Sequence, residues 1–178
     1  RPGWPVAETT GWDWCNEQHQ QGLWVTLQTN RPRWICFNPG MLPLGYLTKR
    51  DARVNVYMNM REKMAMPFMA KLAKEQIENE RHFLVIVAMN CSLIEEPDFG
   101  TIKDLSYNQD AQLLHLCAHG YVCPVTDLAI KRPCMVYCDR PLPRTARLCP
   151  DHGKHRSFRG APVEVTDTVW VAGLARDL

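Results

Sequence analysis

The sequence predicts an α+β fold: a mostly antiparallel sheet, packed helices, and a loop region stapled through cysteine and histidine. Three observations carry that expectation. "HFLVIVAMN", 82–90, is a short, continuously apolar run rich in β-branched residues, the mark of a strand buried on both faces. The region 49–80 places Val54, Met58, Phe68, Leu72 and Ile77 at helix-compatible intervals. Five of the eight cysteines fall between Cys117 and Cys149, and four of the six histidines lie in or beside that window.

Taken in order, the first twenty residues carry Trp4, Trp12 and Trp14 among Pro, Gly and Thr, and read as an extended arm. "GLWVTLQTN" alternates Leu23, Val25 and Leu27 against Trp24 and Thr26, which predicts a strand. "NRPR" supplies a turn and "WICFN" a second strand, so 22–38 is expected to form a hairpin. Thr48, with Asp51 three residues on, is a capping box for the helical region, which Pro67 should divide or kink. After the apolar strand, "EEPDFG" reads as a loop, 108–119 as a helix stopped by Gly120, and "VEVTDTVWVAGL" as a last strand. The expected layout is a Trp/Pro-rich arm at 1–21, an α+β core at 22–114 and 161–178, and a Cys/His-rich region at 115–160. Opening at Arg1 without methionine, the chain reads as a fragment of a longer protein.

A chain of 178 residues has room for one core or for a domain with a small metal-bound appendage. Its net charge of +2 argues against a general polycation, but the charge is uneven. Eight Lys and Arg against two Asp between 131 and 159 leave a local excess of six. No run approaches the roughly 18–20 apolar residues that span a bilayer.

Disulfides need no histidines, whereas zinc uses Cys and His together, so the cluster reads as zinc-binding. Cys134-x3-Cys138 and Cys149-x2-His152 are two close pairs joined by a short loop, the usual way to assemble a tetrahedral site. His115, Cys117, His119 and Cys123 form a candidate second site, and His155 is an alternative to His152. Four protein ligands close such a site, which makes the zinc structural. The helical H-E-x-x-H, the H-x-E with P-C-x-x-C of deaminases, G-x-S-x-G and the Walker A loop do not occur, so no catalytic residue is assigned. Met58, Met60 and Met64, the arm tryptophans, and Arg144 with Arg147 are the candidate partner-binding residues, for a protein surface or for phosphate.

"CMVYCDRPLPRTARLCPDHGKH" resembles a small Cys3His element, C-x3-C-x-R-P-…-R-x-L-C-x2-H, found in bacterial and phage proteins that include HNH nucleases. The longer stretches "GLWVTLQTNRPRWICFNPGMLPLG", "MAMPFMAKLAKEQIENERHFLVIVAMN" and "HLCAHGYVCPVTDLAIKRPCMVYCDRPLPRTARLCPDHGKH" resemble the Bet accessory proteins of foamy viruses. That resemblance implies a non-enzymatic viral protein, intracellular, cytoplasmic or also nuclear, that binds host APOBEC-family cytidine deaminases and keeps them out of particles. The rival expectation is a zinc-containing nucleic-acid-binding or HNH-type nuclease module using the basic segment 131–159.

Overall fold

A computed structural model describes residues 15–37, 52–89, 91–120, 122, 128–130, 133–144, 146–151 and 153–155, with the side chains of 52–62 and of residue 92 outside the description. The expected arm residues 1–14, the Thr48/Asp51 capping box and the expected last strand lie outside the described residues. The architecture is α+β. Helix α1 (Glu17–Asn30) leads to strand β1 (Trp34–Phe37), the long helix α2 (Ala52–Glu78) and strand β2 (His82–Ala88). Helix α3 (Pro97–Leu105), strand β3 (Gln112–His115) and strand β4 (Pro133–Cys138) follow. The four strands form one sheet in the order β1-β2-β4-β3.

That sheet is mixed, where a mostly antiparallel one is expected from the sequence. β1 runs parallel to β2, with Trp34 opposite His82, because the connection between them is α2 rather than a tight turn. β4 is antiparallel to both of its neighbours, with Leu84 opposite Cys138 and Leu114 opposite Cys134.

The hairpin expected at 22–38 does not form, since its first half is α1. Alternation of Leu23, Val25 and Leu27 also satisfies helical spacing, and here Leu23, Trp24 and Leu27 share the packed face while Val25 is exposed. Local chemistry decides for the helix. The Asn16 side chain accepts from the backbone N–H of Gln18 and His19, capping the N-terminus. The hydroxyls of Thr26 and Thr29 donate back to the carbonyls of Gly22 and Val25, and Arg31 closes the C-terminus in a left-handed conformation at φ 44°.

α2 runs unbroken through Pro67, where a division or kink is expected. Pro67 sits on the exposed face, and Met66, Phe68, Met69, Leu72 and Ala73 bury around it, so packing offsets the missing hydrogen bond. The helix expected at 108–119 is strand β3 between two short 3-10 turns, Tyr107–Gln109 and Leu116–His119. Asn108 and Gln109, both at φ 56°, turn the chain out of helix before it starts. The segment read as a breaker loop is α3, in which Pro97 occupies the first turn with its φ already set, and Phe99 and Ile102 bury three residues apart.

β2 fulfils the expectation of a central buried strand: Phe83, Val85 and Val87 face the helices, and Leu84 and Ile86 face the other way. The helix-side core adds Leu23, Ile35, Phe37, Leu93, Phe99, Ile102 and Tyr137. Each such side chain contributes about 1.5–3 kcal/mol on burial. The opposite face packs Leu84, Ile86, Leu114, Leu116, Ile130, Val136 and Leu142 with Cys134 and Cys138. Among the described residues no helix is long and apolar enough to cross a membrane.

Candidate metal centre

The chain beyond β4 folds back beside β3, the outer strand of the sheet order, and this return creates the site. Gln112 begins the alignment: its amide oxygen accepts from the N–H of Leu142, and its NH2 donates to the carbonyl of Arg140. A turn follows, in which Ala146 N–H donates to Leu142 C=O. His115 then binds the returning strand twice. Its N–H donates to the Arg147 carbonyl at 2.8 Å, and its Nδ1 accepts from the N–H of Cys149 at 2.9 Å. Past Cys149 the chain curls at Asp151 (φ 61°) and Gly153 (φ 80°), which swings His155 round to the cysteine.

Three candidate ligands of two types converge there. The donor atoms of Cys117, Cys149 and His155 all lie within 4.8 Å of one another. His155 Nε2 is 3.2 Å from Cys149 Sγ. Cys117 projects from the 3-10 turn Leu116–His119, ended by Gly120 at φ 82°, and is buried at 3 % exposure; Cys149 and His155 are half-buried. Zn–S bonds of about 2.3 Å and Zn–N bonds of about 2.0–2.1 Å put tetrahedral ligand atoms roughly 3.5–3.8 Å apart, so a shift of about an ångström admits the ion.

The electrostatics favour a cation between the thiols. Burial, followed by the hydrogen bond and charge interaction with Cys149, pushes the Cys117 thiol up to about 11. Two adjacent thiolates are unfavourable in such a place by themselves, and a divalent cation supplies the compensating charge.

The cysteine pair expected to lead the site is elsewhere. Cys134 and Cys138 lie on β4, which is laddered on both sides and therefore extended. Four residues of strand hold them about 13 Å apart, so they cannot share one ion. Both are buried in the apolar face, and Cys138 Sγ donates to Asp139 Oδ1 at 3.6 Å. Burial first, and Asp139 beside it, push the Cys138 thiol up to about 12. His115 stands behind Cys149 and His119 is buried on the same turn as Cys117, both outside the convergent three; Cys123 and His152 lie outside the described residues. Among the described residues no disulfide joins two cysteines.

Of the partner-binding candidates, Arg144 and Arg147 are exposed on the returning loop, and Met64 is exposed on α2. Met66 and Met69 are core. Trp4, Trp12 and Trp14, and the side chains of Met58 and Met60, lie outside the described residues. Leu148, 56 % exposed between Arg147 and Cys149, is an apolar feature the charge count overlooks.

A polar group missed by sequence reasoning closes the other end of the sheet. His82 Nδ1 donates to Asp139 Oδ2 at 2.9 Å, Phe83 N–H donates to Asp139 Oδ1 at 3.4 Å, and Arg140 Nε lies 3.5 Å from the same carboxylate. The Trp34 ring packs on His82 at 4.6 Å. This group pins the start of β2 to the end of β4. The signal was the polar His82 heading an otherwise apolar strand.

No protein-family model matches the chain, and no curated protein or solved structure matches it either.

Proposed function

We propose that the chain is a metal-stapled binding module, in which a Zn2+ held by Cys117, Cys149 and His155, three of the four ligands that a closed structural site uses, clamps the returning chain against β3 and presents its exposed residues to a protein partner. The observation that carries this reading is the convergence of three soft and borderline ligands from two chain segments that only the fold brings together. The presented surface combines Arg144, Arg147 and Lys154 with Leu148, charge around an apolar centre, as partner-binding patches do. An acidic protein surface suits it.

The foamy-virus Bet resemblance narrows the partner to a host APOBEC-family cytidine deaminase and the role to non-enzymatic neutralisation. That identity rests on the resemblance alone. The test is native mass spectrometry of the purified chain before and after chelation, followed by pull-down of deaminases with metal-loaded and metal-free protein. One tightly held zinc per chain, and capture that vanishes with Arg147→Glu, is the expected result. Absence of bound metal sinks the clamp, and metal-dependent cleavage or salt-sensitive binding of nucleic acid in place of capture shifts the reading to the nuclease or nucleic-acid class.

A further inference from the structure

The sulfurs of Cys117 and Cys149 lie within 4.8 Å of each other, which sets them apart from the strand cysteines Cys134 and Cys138. Their surroundings are asymmetric. Cys149 is half-buried and open to a small solute, whereas Cys117 sits behind it at 3 % exposure. His155 Nε2 stands 3.2 Å from Cys149 Sγ, on the same side of the cluster. The backbone carrying Cys149 meets β3 through His115, so closing the sulfurs to the ~2.05 Å of an S–S bond calls for movement of this returning loop and not of the sheet.

We propose, building on the metal reading above, that Cys149 is a site of oxidation by hydroperoxides, resolved by Cys117 into a disulfide that releases the metal. The Cys149 sulfur attacks the terminal peroxide oxygen, forming an S–O bond as the O–O bond breaks. A zinc-bound sulfur carries no proton, so the departing alkoxide or hydroxide takes one from solvent and leaves as alcohol or water. The product is a sulfenic acid. The Cys117 sulfur then attacks the Cys149 sulfur, the S–O bond breaks, and hydroxide leaves as water with a second proton from solvent. Two zinc-bound thiolates, one hydroperoxide and two protons thus give a disulfide, free Zn2+, one water and one alcohol (a second water from hydrogen peroxide), with two electrons passing from sulfur to oxygen. The ion loses both charged ligands together and leaves.

The full chain loaded with Zn2+ tests this: hydrogen peroxide is added in stoichiometric amounts, released zinc is read with a chromogenic chelator, and disulfides are mapped by peptide mass spectrometry. Zinc release in step with a Cys117–Cys149 disulfide, reversed by a thiol reductant with zinc present, is the expected result. Retained zinc, or release without that disulfide, overturns the inference and leaves the metal reading standing. A reduced protein that takes up no zinc overturns both. As a second readout, metal-free Cys117→Ser should carry a dimedone-trapped sulfenic acid on Cys149 as its main peroxide product, while Cys138→Ala should form the same disulfide as the parent. Dimedone labelling that avoids Cys149 refutes the assignment of the attacking sulfur.

Discussion

Cys134 and Cys138 are four residues apart in the chain and about 13 Å apart in space, whereas Cys117 and Cys149 are thirty-two residues apart with their sulfurs within 4.8 Å of each other. The difference is backbone conformation. A strand paired on both sides is extended, so side chains four residues apart share a face yet stand too far apart to meet at one ion. A 3-10 turn and a curling loop bring sulfur and nitrogen together from remote positions. Ligand spacing therefore has meaning only once the conformation between the ligands is known.

The comparison breaks most visibly at the loop pair. Cys149→Ser should weaken zinc binding by at least about a hundredfold, read by competition with a calibrated chelator, because it removes a charged ligand. Structural zinc is worth about 10–16 kcal/mol in isolated finger peptides, an upper bound here since the sheet has its own core. Chelation should accordingly loosen the loop and leave the sheet standing, with hydrogen exchange accelerating at the Cys149 amide well before the amides of β2. Simultaneous loss of β2 protection would show that the metal holds the whole fold.

At the strand pair the expected effect is smaller and of another kind. Cys134→Ser places a hydroxyl in an apolar cluster and should cost about 1–3 kcal/mol in denaturant unfolding, with zinc stoichiometry unchanged. A fall in bound zinc for this variant would return Cys134 to the ligand set and erase the distinction between the two pairs.

His115 sharpens the same contrast one step out from the ligands. Its Nδ1 accepts from Cys149 N–H, so His115→Leu removes the acceptor and should weaken zinc binding about 10- to 100-fold. In His115→Asn the side-chain oxygen sits near the same position, and most of the affinity should return. Equal loss in the two variants would make His115 a ligand or a packing residue instead.

Legibility in the sequence followed how far one physical pattern dominated each segment. β2 was plain because a short run, apolar after His82 and rich in β-branched residues, suits a strand covered on both faces, and α2 was plain from its spacing. α1 was hidden because Leu23 and Leu27 fit periods of two and of four alike; the Asn16 cap and the Glu/Gln start were the discriminating residues. α3 was hidden because Pro97 reads as a breaker inside a helix but as an initiator at its first turn. The parallel pairing of β1 with β2 depends on what α2 packs against and leaves no local mark. At the site, composition pointed to metal and to Cys149, while the choice of Cys117 and His155 as its companions required the register of β3 beside the returning loop.

The smallest effect expected separates the two pairs by pH. Burial pushes the Cys138 thiol from its ordinary 9.0 up to about 12, so the folded chain keeps a proton that the unfolded chain loses above pH 9. A raised value contributes stability that is complete below pH 9 and lost as the pH climbs toward 12. Between pH 8 and pH 10 this group should cost about 1 kcal/mol, and Cys138→Ala should flatten that part of the stability profile by the same amount. Cys117, raised to about 11, adds a similar alkaline loss only in metal-free protein, because a zinc-bound sulfur is already deprotonated in the folded state. The alkaline limb should therefore be steeper after chelation than before, and Cys138→Ala should flatten it in the zinc-loaded form as well. A limb that is indifferent to zinc would place the ion away from Cys117.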